Sequence, residues 1–260
     1  MMRTSNPAMK PSIFANARSY GAADTMTIQG TVNKCFVLFF LLLLSASWVW
    51  NKFLTAAAPG QWGSESALAA AGSAVGPYII GGGIVGLILA VVTVFNLPLA
   101  KFTAPAYALC EGLVLGGISA IYERAYPGIV VQAVALTLGT LFCMLMVYKS
   151  GLIQVNRKFV IGLTAATGGV CLIYLGSWIL GMFGIGVPFI YSSGLFGIGF
   201  SLVVVAIAAF NLILDFYIIE QGAAQNAPKY MEWYGAFALM VTLVWLYLEI
   251  LRLLAKSRRR

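Results

Sequence analysis

One acidic residue lies inside an apolar run that is long enough to cross a bilayer. Asp215 occurs in SLVVVAIAAFNLILDFYIIEQG, close to the end of that run. An ionised Asp near the middle of a membrane helix costs roughly 2.5–3.5 kcal/mol on insertion scales, so such residues usually face a bundle interior or a wet cavity. Asn211 precedes it by one helical turn, where its amide can donate to the carboxylate. Two interpretations stay open: a protonatable group in an ion or proton path, or a side chain that reaches the interface and has no role.

A second acidic residue, Glu111, lies well inside another apolar run and next to Gly112. No basic residue of that run can neutralise it. It is therefore protonated, hydrogen-bonded to another helix, or in contact with a water-filled cavity. Tyr107, Ser119 and Tyr122 lie on roughly the same helical face and would extend a polar track.

The residue types argue against an enzyme. The chain has no histidine, which removes the commonest general base and metal ligand. Its four cysteines each fall inside an apolar run without CxxC spacing, as expected of small packing residues. Since no nucleophile and base pair and no metal-ligand cluster is recognisable, we expect neither catalysis nor a cofactor.

Composition places the chain among membrane proteins. Of its 260 residues, 61% are hydrophobic and 9% are charged, and the mean hydropathy is +0.92, far outside the usage of soluble domains. The net charge of +8 comes from bases that cluster at tails and loops. That pattern favours contact with anionic lipids over nucleic-acid binding.

Seven apolar runs are each near the ~20 residues needed to cross a bilayer. We predict an all-α bundle of seven membrane helices without a soluble domain. A polar N-terminal tail covers residues 1–33, a Gly/Ala/Ser-rich loop covers 51–76, and a basic tail covers 255–260. The predicted spans, which form a membrane domain over 34–254, are 34–51, 77–97, 103–122, 127–148, 158–183, 194–219 and 231–254.

Two pairs of glycines have the spacing of close helix contacts. Gly82 and Gly86, and also Gly112 and Gly116, are four residues apart. This small-xxx-small spacing lets helix backbones approach closely in a membrane. We expect tight packing at these positions.

The basic residues decide the orientation only weakly. With seven crossings, nine Lys and Arg residues lie on the side of the N-terminus and seven on the other, and basic residues mark the cytoplasmic side. If one C-terminal helix were re-entrant, both tails would share a side, with only Lys52 and Arg124 opposite. The long apolar run 231–254 favours seven crossings. We expect a cytoplasmic N-terminus and leave the side of the C-terminus open.

Four runs carry a family resemblance. In chain order they are MTIQGTVNK, CEGLVLGGISAIYE, FNLILDFYIIEQG and MEWYGAFALMVTLVWLYLEILRLL. Over residues 26–254 the chain resembles the Bax inhibitor / YccA-like branch of the transmembrane Bax inhibitor motif family, in its longer bacterial form. The resemblance implies seven helices with the last one central, in the bacterial inner membrane. For characterised members it implies a pH-sensitive calcium leak governed by two aspartates on the sixth and seventh helices.

Only one of these two aspartates is present. Asp215 occupies the position of the sixth-helix aspartate, whereas setting the family's LLR motif on Leu251 and Arg252 brings Thr242 to the second position. Thr242 cannot supply the repulsion through which two close carboxylates share a proton. Glu249 lies on the same helical face about 10 Å along the axis, where it either takes over the second role or pairs with Arg252.

Two functions from different classes follow. The first is a membrane cation channel or transporter that passes Ca²⁺, with Asp215 as gate or relay and Glu111 lining the path. The second is a non-conducting regulatory protein that binds other membrane proteins in protein turnover or stress responses, with the N-terminal tail as its working part.

Overall fold

The computed structural model describes residues 25–56, 65–184 and 194–259. Within these ranges the chain forms seven helices that are long and apolar enough to cross a membrane. A 3-10 turn at Leu97–Leu99 precedes the third helix. This confirms the predicted all-α, seven-span architecture. The helices are α1 Ile28–Ala56, α2 Glu65–Phe95, α3 Ala100–Ala125, α4 Ile129–Lys149, α5 Arg157–Met182, α6 Leu195–Ala224 and α7 Met231–Arg258.

The predicted loop at 51–76 is wrong over most of its length. Helix α1 continues to Ala56, and α2 already begins at Glu65; residues 57–64 lie outside the described part. The sequence prediction placed Pro77 at a helix start, but Pro77 lies inside α2. The segment before it is rich in alanine, a strong helix former, and membrane helices tolerate an internal proline because neighbouring groups satisfy the freed carbonyl.

Other helix boundaries also differ from the prediction. Helix α1 begins at Ile28, so the end of the predicted tail at residue 33 is wrong; residues 1–24 lie outside the described part. Helix α3 begins at Ala100 rather than 103. Helix α7 continues to Arg258, so most of the predicted basic tail from residue 255 is helical.

Burial separates the helices into two groups. In the most apolar 18-residue stretch of each helix, the buried share is 17% in α2, α4 and α5 and 28% in α1. Their exposed apolar side chains, such as Phe36 at 72% and Phe142 at 64%, suit contact with lipid. The same stretch of α7 is 67% buried, the largest share of the seven, as expected for the central helix of the prediction.

The chain divides into two compact units. Among the described residues, the N-terminal unit comprises those within 29–128 and 230–237, and the C-terminal unit comprises those within 25–28, 129–229 and 238–259. Helices α1, α2 and α3 belong to the first unit, and α4, α5 and α6 to the second. The first two turns of α7 belong to the N-terminal unit, and the rest of the helix belongs to the C-terminal unit.

Glycines set the packing of the N-terminal unit. A Cβ on Gly112 would collide with the Ser45 hydroxyl and the Leu42 carbonyl of α1, and one on Gly116 would collide with the Ala46 carbonyl. The α3 backbone therefore lies directly against α1. The small-residue spacing on α3 thus marks a real close approach.

Candidate ion and proton site

Asp215 is completely buried, with 0% of its surface exposed. It lies in the second half of α6, where the run from Asn211 to Asp215 is buried without interruption. Leu214 before it is 1% exposed, and Ile218 one turn later is 2% exposed. Burying a charged carboxylate in such surroundings is costly unless polar groups or water contact it. The interpretation in which the side chain reaches the interface does not fit this placement.

Asn211 connects α6 to α5. Its Nδ2 donates to Thr167 Oγ1 at 2.9 Å and to the Ile207 carbonyl at 2.8 Å. Together these bonds use the two N–H groups of the amide. They fix the polar face of α6 one turn from Asp215, and Thr167 is a polar residue that the sequence did not single out.

Helix geometry indicates that Thr242 on α7 lies at a depth similar to that of Asp215 on α6. Helices α6 and α7 are consecutive spans and run antiparallel, and Lys256 Nζ donates to Ser201 Oγ at 2.8 Å. Counting fourteen residues along each helix from this contact reaches Asp215 on one and Thr242 on the other, both about 21 Å away. Thr242 is 3% exposed, and its hydroxyl donates to the Ala238 carbonyl at 3.3 Å. By this count the hydroxyl and the carboxyl group lie at similar depths along the two helices.

Glu249 is held by a basic residue of its own helix. Arg252 NH1 lies 2.8 Å from its Oε1, and the Tyr174 hydroxyl of α5 donates to its Oε2 at 3.0 Å. Arg252 also donates to the Tyr174 hydroxyl at 2.7 Å and lies over the tyrosine ring. The side chain of Glu249 is 2% exposed. Of the two alternatives for Glu249, the structure shows the pair with Arg252.

Glu111 belongs to the N-terminal unit, whereas Asp215 and Glu249 belong to the C-terminal unit. Glu111 shares a side-chain hydrogen bond with Tyr107, one turn earlier on α3. Its carboxylate lies against Gly86 of α2, 3.7 Å from where a Cβ would be. The Tyr107 ring packs edge-on against Phe237, with centroids 5.0 Å apart. Glu111 itself is half-buried. Of the two other residues predicted to continue its polar track, Ser119 is buried and Tyr122 is half-buried.

A match to a known protein family covers nearly the whole chain. A sequence model described as Bax inhibitor 1 like matches residues 6–259. The chain belongs to this family. No curated protein and no solved structure matches the sequence. Together with seven apolar spans, the match makes the chain a multi-pass, lipid-embedded protein of the Bax inhibitor family.

Two runs that carried the resemblance to the Bax inhibitor family are joined by an ion pair. Lys34, in MTIQGTVNK, lies 2.5 Å from the carboxylate of Glu232, in MEWYG, and both belong to the N-terminal unit. The ammonium group also lies 5.5 Å from the centre of the Trp233 ring. The Glu232 side chain is 2% exposed. This pair ties the start of α7 to α1, and nothing in the spacing of the sequence indicated it.

The positions of the possible metal-ligating side chains bear on metal binding. Among the described residues, no group of three or more His, Cys, Asp or Glu side chains lies close enough to hold a metal ion. The acids of the C-terminal unit instead occupy separate levels of α6 and α7.

Proposed function

We propose that this protein is a membrane cation channel or transporter that passes Ca²⁺, and that protonation of Asp215 regulates the flux. The observation that carries the proposal is the complete burial of a titratable carboxyl group within a membrane-spanning helix. Ionisable residues at such positions are costly and are usually kept for ion pathways or proton relays.

The surroundings of Asp215 support a group that changes its protonation state. The carboxyl group lies among buried apolar residues of α6, while the Asn211 amide one turn away donates to Thr167 and Ile207, and the Thr242 hydroxyl donates to Ala238; in this proposal a charge on Asp215 draws these groups or water toward it. The proton affinity therefore depends on how closely these groups and water approach. A small movement of α5, α6 or α7 changes that approach, so protonation and conformation are coupled.

Glu249 does not provide the second carboxylate in this proposal. Its charge is compensated by Arg252 at 2.8 Å, so it adds little repulsion toward a carboxylate two turns away. Asp215 then acts without the close acidic partner that the family resemblance implies. We propose that its pH response is weaker or shifted relative to relatives with both aspartates.

The setting of the site is part of the proposal. We place the protein in a bacterial inner membrane with its N-terminus in the cytoplasm, and its basic terminal segments next to anionic lipid headgroups. Basic residues near a membrane surface gain about 1 kcal/mol each from such lipids.

The test is ion flux through purified protein in liposomes of phosphatidylethanolamine and phosphatidylglycerol. Entry of Ca²⁺ is followed with a trapped dye, and entry of chloride with a second dye, against protein-free liposomes. We expect Ca²⁺ flux above background and above chloride flux, because buried acids favour cations. Flux at background would refute conduction and leave the regulatory, protein-binding function; chloride flux above Ca²⁺ flux would refute the cation selectivity.

A further inference from the structure

Lys256 is a buried base at the opposite end of the α6–α7 contact from Asp215. It is 4% exposed although it lies in the last turn of α7. Its Nζ donates to the Gly197 carbonyl at 3.0 Å and to Ser201 Oγ at 2.8 Å, both on α6. A lysine near a helix end normally extends its ammonium group to water. This one is directed inward and is bound by the neighbouring helix.

Polar residues recur between Lys256 and Asp215 at a spacing of seven. On α7 the series is Thr242, Glu249 and Lys256, and on α6 Ser201 and Asp215 are fourteen residues apart with Ala208 between them. Residues seven apart lie on nearly the same face of a helix. Except for Ala208, every member is polar, and all are buried, from 0% to 4% exposed. We call these residues the polar seam: it starts where Lys256 contacts Ser201, and it extends about 21 Å from there, to Asp215 along α6 and to Thr242 along α7.

The charges along this seam are ordered. Asp215 lies at one end, the compensated pair of Glu249 and Arg252 lies in the middle, and Lys256 lies at the other end. Lys256 and Arg252 are one turn apart, where like charges repel. The structure separates them, since Arg252 is directed to Tyr174 of α5 and Lys256 to Ser201 of α6. The seam is thus acidic at the Asp215 end and basic at the Lys256 end.

We propose that Lys256 is the barrier that closes this seam to cations and limits the leak. This inference rests on the proposed function, because it assigns the gate of the same path. A fixed positive charge in a narrow passage excludes cations. The two hydrogen bonds to α6 hold the ammonium group between the helices, and they join the end of α7 to the start of α6.

The first arm of the test is flux. Lys256→Met removes the charge and keeps an unbranched apolar side chain, and replacing a buried charge in this way is often tolerated. We expect Ca²⁺ flux in liposomes to rise about tenfold, since a nearby unit charge is weakly screened in a buried passage. Arg259→Met is the matched control: it removes the same charge from an exposed position three residues later and should leave the flux unchanged. Lys256→Arg should keep the flux low.

The second arm needs no conduction. Ala208→Cys, in a background whose four native cysteines are replaced by alanine, places a thiol in the middle of the seam. A small water-soluble maleimide should label it slowly with Lys256 present and about tenfold faster in Lys256→Met, because water then enters. Ala208 is 0% exposed, so fast labelling already with Lys256 in place would overturn the barrier.

The two arms separate the failure of this inference from that of the proposed function. Ca²⁺ flux in the unmodified protein that does not change in Lys256→Met would overturn the barrier and leave the proposed function standing. If no variant conducts, the proposed function fails. Faster labelling in Lys256→Met would then still support closure of the seam by Lys256, whereas unchanged labelling would overturn it.

Discussion

Glu249 and Asp215 are both buried acids of the C-terminal unit, and their neighbours differ. Glu249 has Arg252 and the Tyr174 hydroxyl within 3.0 Å, so its negative charge is balanced where it forms. Asp215 is flanked by buried apolar residues of α6, and the Asn211 amide lies one turn earlier. The two side chains therefore suit different tasks. Glu249 fixes α7 against α5, and we propose that Asp215 is the group that changes its protonation state.

This difference predicts the effect of neutralising Glu249. Glu249→Gln should keep the pH dependence of Ca²⁺ flux, because the residue it replaces is already compensated by Arg252. Glu111→Gln should keep it too, since Glu111 is hydrogen-bonded to Tyr107 in the other unit. Flux measured from acidic to alkaline pH checks both. A flat profile in either variant would assign that acid the second role.

Thr242 offers the opposite change. Thr242→Asp places a carboxyl group level with Asp215, where repulsion between the two should favour a shared proton. We expect a steeper or larger pH response of the flux. Thr242→Asn is the control, because it adds a polar side chain of similar size without a charge. An identical response in the two variants would show that Thr242 and Asp215 are not close enough to interact.

At the scale of the helices, burial explains where the sequence prediction succeeded and where it did not. Apolar runs near twenty residues locate every span, because only a helix satisfies its backbone groups in lipid. The start of α2 was missed, because Pro77 resembles a helix start and the alanine-rich segment before it resembles a loop. Lys256 was assigned to a basic tail, because composition does not show that α6 lies beside it. The spacing of seven from Thr242 through Glu249 was the available signal.

The contact of α3 with α1 gives a prediction about stability. Gly112→Ala and Gly116→Ala should each destabilise the protein by about 1–3 kcal/mol, because the added methyl group meets backbone atoms that cannot move freely. Gly139→Ala on α4 is the control, since nothing lies within 4 Å of its Cβ position. Thermal unfolding in detergent measures the three variants. A lower Tm for Gly139→Ala than for Gly112→Ala would contradict the close approach.

At the scale of the whole molecule, we expect all seven helices to cross the membrane, which would put the two ends of the chain on opposite sides. The N-terminal tail and the segment 57–64 should also lie on opposite sides, since α1 separates them. Ser12→Cys and Ser64→Cys, both outside the described residues, test this in a background without native cysteines. An impermeant thiol reagent should label one of them in intact cells and the other only after the membrane is opened. Labelling of both from one side would refute the seven-span topology.

The sequence predicts the membrane class, the number of spans and the burial of Asp215 more completely than it predicts which side chains pair. Hydropathy is a property of one run, whereas an ion pair depends on which faces of two distant helices meet. Lys34 and Glu232 are 198 residues apart, and neither has a spacing that indicates the other. Nothing in the sequence distinguishes Thr167 and Ser201 from other hydroxyl residues of membrane helices. Their roles depend on the hydrogen bonds from Asn211 and Lys256.

The dependence of flux on Asp215 is the central claim, and one comparison tests it most directly. Ca²⁺ flux is measured against pH in liposomes for the unmodified protein, Asp215→Asn and Glu220→Gln. Glu220 lies five residues later on α6 and is exposed, so its neutralisation controls for the loss of an acid. We predict a pH-dependent flux that Asp215→Asn makes independent of pH and that Glu220→Gln preserves. An unchanged pH profile in Asp215→Asn would remove Asp215 from the mechanism and contradict the proposal.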